Sequence, residues 1–249
     1  MRVLIYLALL ILCVMILGDQ ILAQPNMTIQ ESTFDFGYAP QNAKISHIFW
    51  LYSTGTDSLK IEKVTPGCGC TQAPLNKTEL AKGDSTALET IFNTGHYIGK
   101  QSKRPSIKTN AGPELGYVQF TSNVIANPDS TYPIIIKPYK FDISQFGEKE
   151  RNGLDFTIQN VTDADFDLKL VDTRPDMFKV TLPKKIKAGA AEKGRIVVLD
   201  EYLKKEFEKS ITIELGDKTV SRFTIPVKRT IRIPDANQTA PPAAPNDKH

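Results

Sequence analysis

Two cysteines one residue apart, in the stretch TPGCGCTQAP from Thr65 to Pro74, are the most chemically suggestive feature of the chain. Cys68 and Cys70 admit four readings. As a turn, Gly67 and Gly69 supply positive φ at a strand end, and two small, easily buried side chains fill the space beside them. As a metal site, two thiolates converge on one soft ion, and Cu(I) is the natural candidate because two or three thiolates satisfy it. Zinc needs four ligands, and outside the tail the only histidines are His47 and His96. His47 is the candidate extra ligand, with half-buried strand packing as its competing role. As a redox dithiol, the pair needs a thiol pKa lowered by backbone N–H groups or a cation, and Lys63 is the nearest cation in sequence. Its disulfide is expected to close a small strained ring, with Cα atoms at the far end of the tolerated range, and strained bonds are easily reduced. As a partner contact, a sulfur is committed to an intermolecular disulfide. Thr71 completes the motif Gly67-Cys68-Gly69-Cys70-Thr71.

Other chemistries lack their residues. The chain contains no Gly-x-Ser-x-Gly, no His-Glu-x-x-His and no phosphate-binding glycine loop. An enzyme is therefore not expected, thiol-redox activity aside, and no cofactor is expected apart from the copper alternative. A formal net charge of +3 argues against nucleic acid, and the lysine clusters at 100–108 and 184–187 read as solvated faces. Asn-x-Ser/Thr triplets occur at Asn26, Asn76, Asn160 and Asn237, a pattern that often arises by chance.

The elements that must position the cysteines read as strands. Short runs rich in Val, Ile, Thr and aromatics are broken by Gly, Pro, Asn and Asp about every ten residues, which predicts an all-β sandwich architecture. The predicted strands include 45–52, 58–64, 86–92, 117–125, 154–160, 166–171, 194–199, 210–215 and 221–227. An internal repeat organises them. FWLYSTGTDSLKI (49–61) matches FTIQNVTDADFDL (156–168), pairing Phe49 with Phe156, Leu51 with Ile158 and Ile61 with Leu168. Gly83 corresponds to Gly189, each just before a strand. A period near 105 residues means two domains of one fold rather than a solenoid. The second copy has DTRPDMF (172–178) where the first has its cysteines, so the fold does not require them.

Before the first strand, Arg2 precedes an apolar run from Val3 to Gly18, too short for a spanning helix of about 20 residues and suited to a secretory signal. Residues 1–23 are expected to be a signal peptide with cleavage after Ala23, or an N-terminal anchor helix if uncleaved. The chain is then exported to the periplasm or cell envelope, and touches membrane only through that segment. Cys13 lacks the preceding small residue of a lipoprotein signal, which leaves Cys68 and Cys70 as the cysteines of the exported chain. The expected plan is 27–126 for the domain with the cysteines, a linker at 126–133, 133–233 for the second domain, and a disordered Pro/Ala-rich tail at 235–249.

Taken together, these residues resemble the bacterial exported family known as domain of unknown function 1573. The resemblance rests on Asp35-Phe36-Gly37, His47-Ile48-Phe49, Ser53-Thr54-Gly55, Cys68-Gly69-Cys70-Thr71, Lys82-Gly83, Gly99-Lys100 and Thr109-Asn110, over about residues 30–125. Ser53 stands where Asn is usual, and Lys82 where Pro is usual. The resemblance implies an immunoglobulin-like sandwich of the major sperm protein type and an envelope location; it implies no activity. The expectation is two tandem immunoglobulin-like β-sandwiches forming a non-catalytic binding or assembly module with an unidentified envelope protein as partner. The alternative is metal or thiol chemistry at Cys68 and Cys70.

Overall fold

The computed structural model describes residues 24–232. The expected signal or anchor segment 1–23 and the tail from 235 lie outside the described residues. The fold is all-β: among the described residues, two short 3-10 turns, Pro128–Ser130 and Asp200–Tyr202, are the helical elements. The reason is visible in Lys44–Ser53, where Ile45, Phe49 and Leu51 are buried on one side while Lys44 and Trp50 point to the other. A two-residue period can bury one face of a sheet and nothing else.

Two hydrophobic cores result. Phe36, Ile45, Phe49, Leu59, Leu88 and Phe120 belong to the first, and Ile136, Phe156, Ile158, Phe178, Ile213 and Phe223 to the second. Each has a four-stranded sheet of matching order. In the first the order is Met27–Ile29, Lys44–Ser53, Ser85–Asn93, Thr71–Gln72; in the second it is Ile134–Lys137, Gly153–Asn160, Ala191–Val198, Phe178–Thr181. The repeat extends to a single hydrogen bond: Ser53 N–H donates to Asp84 O, and its counterpart Asn160 N–H to Ala190 O. The glycines differ, since Gly83 N–H donates to Ser53 O whereas Gly189 N–H donates to Thr162 O, two residues beyond the counterpart of Ser53.

Strand patterning does not reveal how the two cores are joined. One eight-stranded sheet carries strands of both halves, in the order Lys185–Ile186, Phe166–Asp172, Phe207–Leu215, Arg222–Arg229, Thr33–Pro40, Gln119–Ile125, Gly99–Lys103, with Phe141–Asp142 paired to Arg222–Arg229 off that path. The crossing point is a parallel contact, Tyr38 opposite Phe223. Gly37 makes it possible. Its φ is +61°, and a Cβ there would lie 2.1 Å from the carbonyl oxygen of Arg222. Asp35 Oδ1 holds the bend by accepting from Gly37 N–H and from Thr121 Oγ1. Thr224 Oγ1 donates to Phe36 O, and Tyr139 OH to Tyr38 O, so carbonyls at the crossing are satisfied.

Candidate functional site

The Cys68–Cys70 loop joins Leu59–Thr65 to Thr71–Gln72, at the end of the first core. Gly67, at φ +87°, turns the chain and lets it pass the carbonyl of Arg104. Thr71 N–H then donates to Cys68 O at 3.2 Å, and Asn93 N–H to Cys70 O at 2.9 Å, tying the loop to Ser85–Asn93. Thr71 and Gln72 pair with Phe92 and Ile91. This curl brings the two sulfurs together as a disulfide, Cys68 to Cys70.

Two sequence expectations change here. The Cα atoms of the cysteines are 5.3 Å apart, within the ordinary span of about 4.4–6.8 Å rather than at its far end. The turn, and not stretched cysteines, does the shortening. Of the two glycines, Gly67 has positive φ and Gly69 does not; Gly69 is exposed, with open space where a Cβ would stand.

Around the disulfide, Thr71 is the closest polar group. Its side chain is buried, and its Oγ1 lies 3.3 Å from Cys68 Sγ and 3.8 Å from Cys70 Sγ. Both cysteines are half-buried. Cys70 packs against the first core alongside Ala73 and Leu75. On the other side of Gly67 stands Arg104, whose guanidinium carbon lies 3.9 Å from the Tyr117 ring centroid, preceded by Lys103 over Tyr97 at 4.8 Å. The sequence offered Lys63 as the nearest cation; what the fold brings beside Gly67 is the backbone carbonyl of Arg104.

His47 does not join the cysteines. Its ring stacks on Phe34 with centroids 3.7 Å apart, and its Nδ1 is 2.9 Å from Asp172 Oδ2. His96 is exposed in the loop before Gly99–Lys103. Among the described residues no group of three or more His, Cys, Asp or Glu side chains is arranged to hold a metal ion. A disulfide offers no thiolate, so copper could engage Cys68 and Cys70 only after their reduction.

Asp172 ends the strand Phe166–Asp172 and leads into the loop that corresponds, in the second half, to the cysteine loop of the first. That loop docks. Besides Asp172 on His47, its Arg174 reaches Glu89 Oε1 at 3.5 Å, and Glu89 also accepts from Lys209 Nζ at 2.6 and 2.7 Å. Glu89 and Lys209 side chains are less than a fifth exposed. Hydrogen bonding to Asp176 holds the Arg174 guanidinium pKa above its ordinary value, and the same contact holds the Asp176 carboxyl below the usual aspartate range. Ser46 N–H donates to Ser210 Oγ, which donates back to Ser46 O, and Lys44 pairs with Glu208. Sequence reading missed this seam; its signal was Asp172, Arg174 and Asp176 clustered in one loop.

Beside the seam runs an open groove of about 660 Å³, lined in part by Glu31, Phe34, His47, Lys169, Glu214 and Arg222. It continues into a smaller cleft of about 290 Å³ with Gln30, Glu31, Ile48 and Trp50. Trp50, the one tryptophan of the chain, is 49% exposed there.

Residues 27–124 match the family model described as a protein of unknown function (DUF1573), the stretch on which the sequence resemblance rests. No curated protein matches the chain. Among solved structures, a Vibrio cholerae VesB protease structure is similar at 14% identity and TM-score 0.34, over 40% of this chain and 32% of that one. A protein of unknown function from Porphyromonas gingivalis W83 is similar at 13% identity and TM-score 0.33, over 82% of this chain and 98% of that one. The ASH/PapD-like domain 7 of human CEP192 is similar at 10% identity and TM-score 0.34, over 41% and 86% respectively.

Proposed function

We propose that this chain is an exported, non-catalytic binding module of the cell envelope, built as two tandem immunoglobulin-like sandwiches locked into one platform. The exposure of Trp50 beside the seam groove carries this reading. A half-exposed tryptophan offers a large apolar surface at small entropic cost, the kind of anchor that dominates protein interfaces. Glu31, in the same cleft, has no salt bridge among those of the described residues. The partner is therefore a protein that presents an apolar side chain to Trp50 and a basic one to Glu31. The disulfide supports an oxidising compartment for the chain.

The test places a photo-crosslinking residue at position 50 of the full chain in its own cells, and another at Lys193 in the second half as control. A discrete crosslinked protein at position 50, absent at 193, is expected, and Glu31→Lys should abolish it. Crosslinks that are equally frequent at both positions, or unaffected by Glu31→Lys, overturn the assignment.

A further inference from the structure

We infer that the Cys68–Cys70 disulfide is a thiol-capture site, which takes an exposed cysteine of a docking protein into a reversible mixed disulfide. Three observations converge on it. First, the bond sits half-exposed at a loop tip rather than inside a core, so an attacking sulfur can reach it. Second, the Thr71 hydroxyl lies within hydrogen-bonding range of both sulfurs and is itself buried. A neutral disulfide makes little use of that donor, whereas a thiolate formed there would accept a charge-assisted hydrogen bond. Third, the corresponding loop of the second half is a docking loop: Asp172 and Arg174 reach across the seam to His47 and Glu89. The first half presents the same loop position with no such contact among the described residues, and carries its disulfide there.

The two sulfurs have different roles. Cys70 packs on the core and is held in place, while Cys68 lies outside that packing, next to exposed Gly69. The partner thiol loses its proton to solvent and attacks Cys68 Sγ. Its lone pair makes the new sulfur–sulfur bond, and the Cys68–Cys70 bond breaks with its electron pair going to Cys70 Sγ. Thr71 Oγ1–H donates to the Cys70 thiolate. No net electrons are needed, because the disulfide oxidation level passes from the Cys68–Cys70 bond to the Cys68–partner bond. In the reverse step Cys70 attacks Cys68 Sγ and releases the partner. The chain's remaining cysteine, Cys13, lies in the N-terminal apolar run, so the captured thiol comes from a second molecule.

The experiment uses the full chain purified in mild detergent, with reduced glutathione as probe and acid quench before mass analysis. Native wild-type chain should open its disulfide and show glutathione on Cys68. Thr71→Val should slow opening by roughly tenfold or more, the value of a hydrogen bond to a charged group, and Thr71→Ser should restore it. In cells, acid-quenched wild-type chain should carry a protein adduct on non-reducing gels, mapped to Cys68 by mass analysis, and Cys68→Ser and Cys70→Ser, which both lack the disulfide that supplies the oxidation level, should carry none. Opening only after denaturation, equal rates in Thr71→Val and wild type, or trapping through Cys70 would each overturn the site. Glutathione adducts alone in cells would overturn the protein partner. The two cysteine variants decide the matter independently of whether Thr71→Val folds.

Discussion

Ser53 and Asn160 occupy the same position in the two halves of the repeat, and exchanging their side chains tests whether that repeat is energetically real. Asn160 is fully buried. Its Nδ2 donates to Ala164 O at 2.7 Å and Lys187 O at 3.1 Å, while its Oδ1 accepts from Thr162 N–H at 3.0 Å and Thr162 Oγ1 at 2.8 Å. Four hydrogen bonds at about 0.5–1.5 kcal/mol each set the gross loss for Asn160→Ser. Part returns: Ala164 O keeps Thr162 Oγ1, Lys187 O keeps Ala190 N–H, and the serine hydroxyl can remake a bond. The expected net cost is therefore about 2–4 kcal/mol. In the first half, Ser53 Oγ is buried without a hydrogen-bond partner among the described residues. By the repeat alignment, an asparagine there would reach the carbonyls of Asp57 and Ala81, so Ser53→Asn should stabilise by about 1 kcal/mol. Urea unfolding of the full chain, followed by far-UV circular dichroism and by the single tryptophan, reads both. An Asn160→Ser variant within about 0.5 kcal/mol of wild type would contradict this ledger, because four buried hydrogen bonds cannot vanish at that cost. Destabilisation by Ser53→Asn would show that the first half has no room for the amide.

Three further outcomes follow from the same contacts. Gly37→Ala should cost about 3–5 kcal/mol in urea unfolding, since the new Cβ would strike the Arg222 backbone, whereas Gly83→Ala, strained in φ but with open space, should cost about 1; equal losses would show that the crossing yields. Glu89→Ala leaves the largely buried Lys209 without its anion, while Arg174 keeps Asp176, for about 2–3 kcal/mol, and Glu89→Leu with Lys209→Leu should cost less than the sum of the single changes; additivity would remove the coupling. Asp176 is stabilised as the carboxylate by Arg174, so its contribution is complete above the ordinary aspartate pKa of about 3.9 and is lost as pH falls through its lower folded value. The side chain is half-exposed, so Asp176→Asn should cost under about 1 kcal/mol at pH 7 and nothing at pH 2; an equal cost at both would assign the effect to shape.

Much of this molecule could be read from periodicity. Alternation in FWLYSTGTDSLKI and FTIQNVTDADFDL placed the strands, because a half-buried strand must alternate. The alignment of the two copies predicted which residues would share a structural role, down to Gly83 with Gly189. The loop at Cys68 was legible as a loop because Pro66 and Gly67 end the strand before it. What lay around that loop was not. Thr71 beside the sulfurs, Arg104 beside Gly67, and the pairing of His47 with Asp172 join residues that are neighbours in space through strand register, and register depends on partners far along the chain.

The sequence alone determined an all-β chain with a duplicated pattern and a cysteine pair that the duplication does not need. Local rules suffice for that, since side-chain alternation, turn residues and spacing act over a few positions. Long-range packing adds the rest: strands of both halves meet in one sheet at Tyr38 and Phe223, charged groups close the seam, and Cys68 and Cys70 bond to each other beside a buried hydroxyl. Those outcomes depend on which surfaces pack together, and packing is settled by shape and charge across the whole chain.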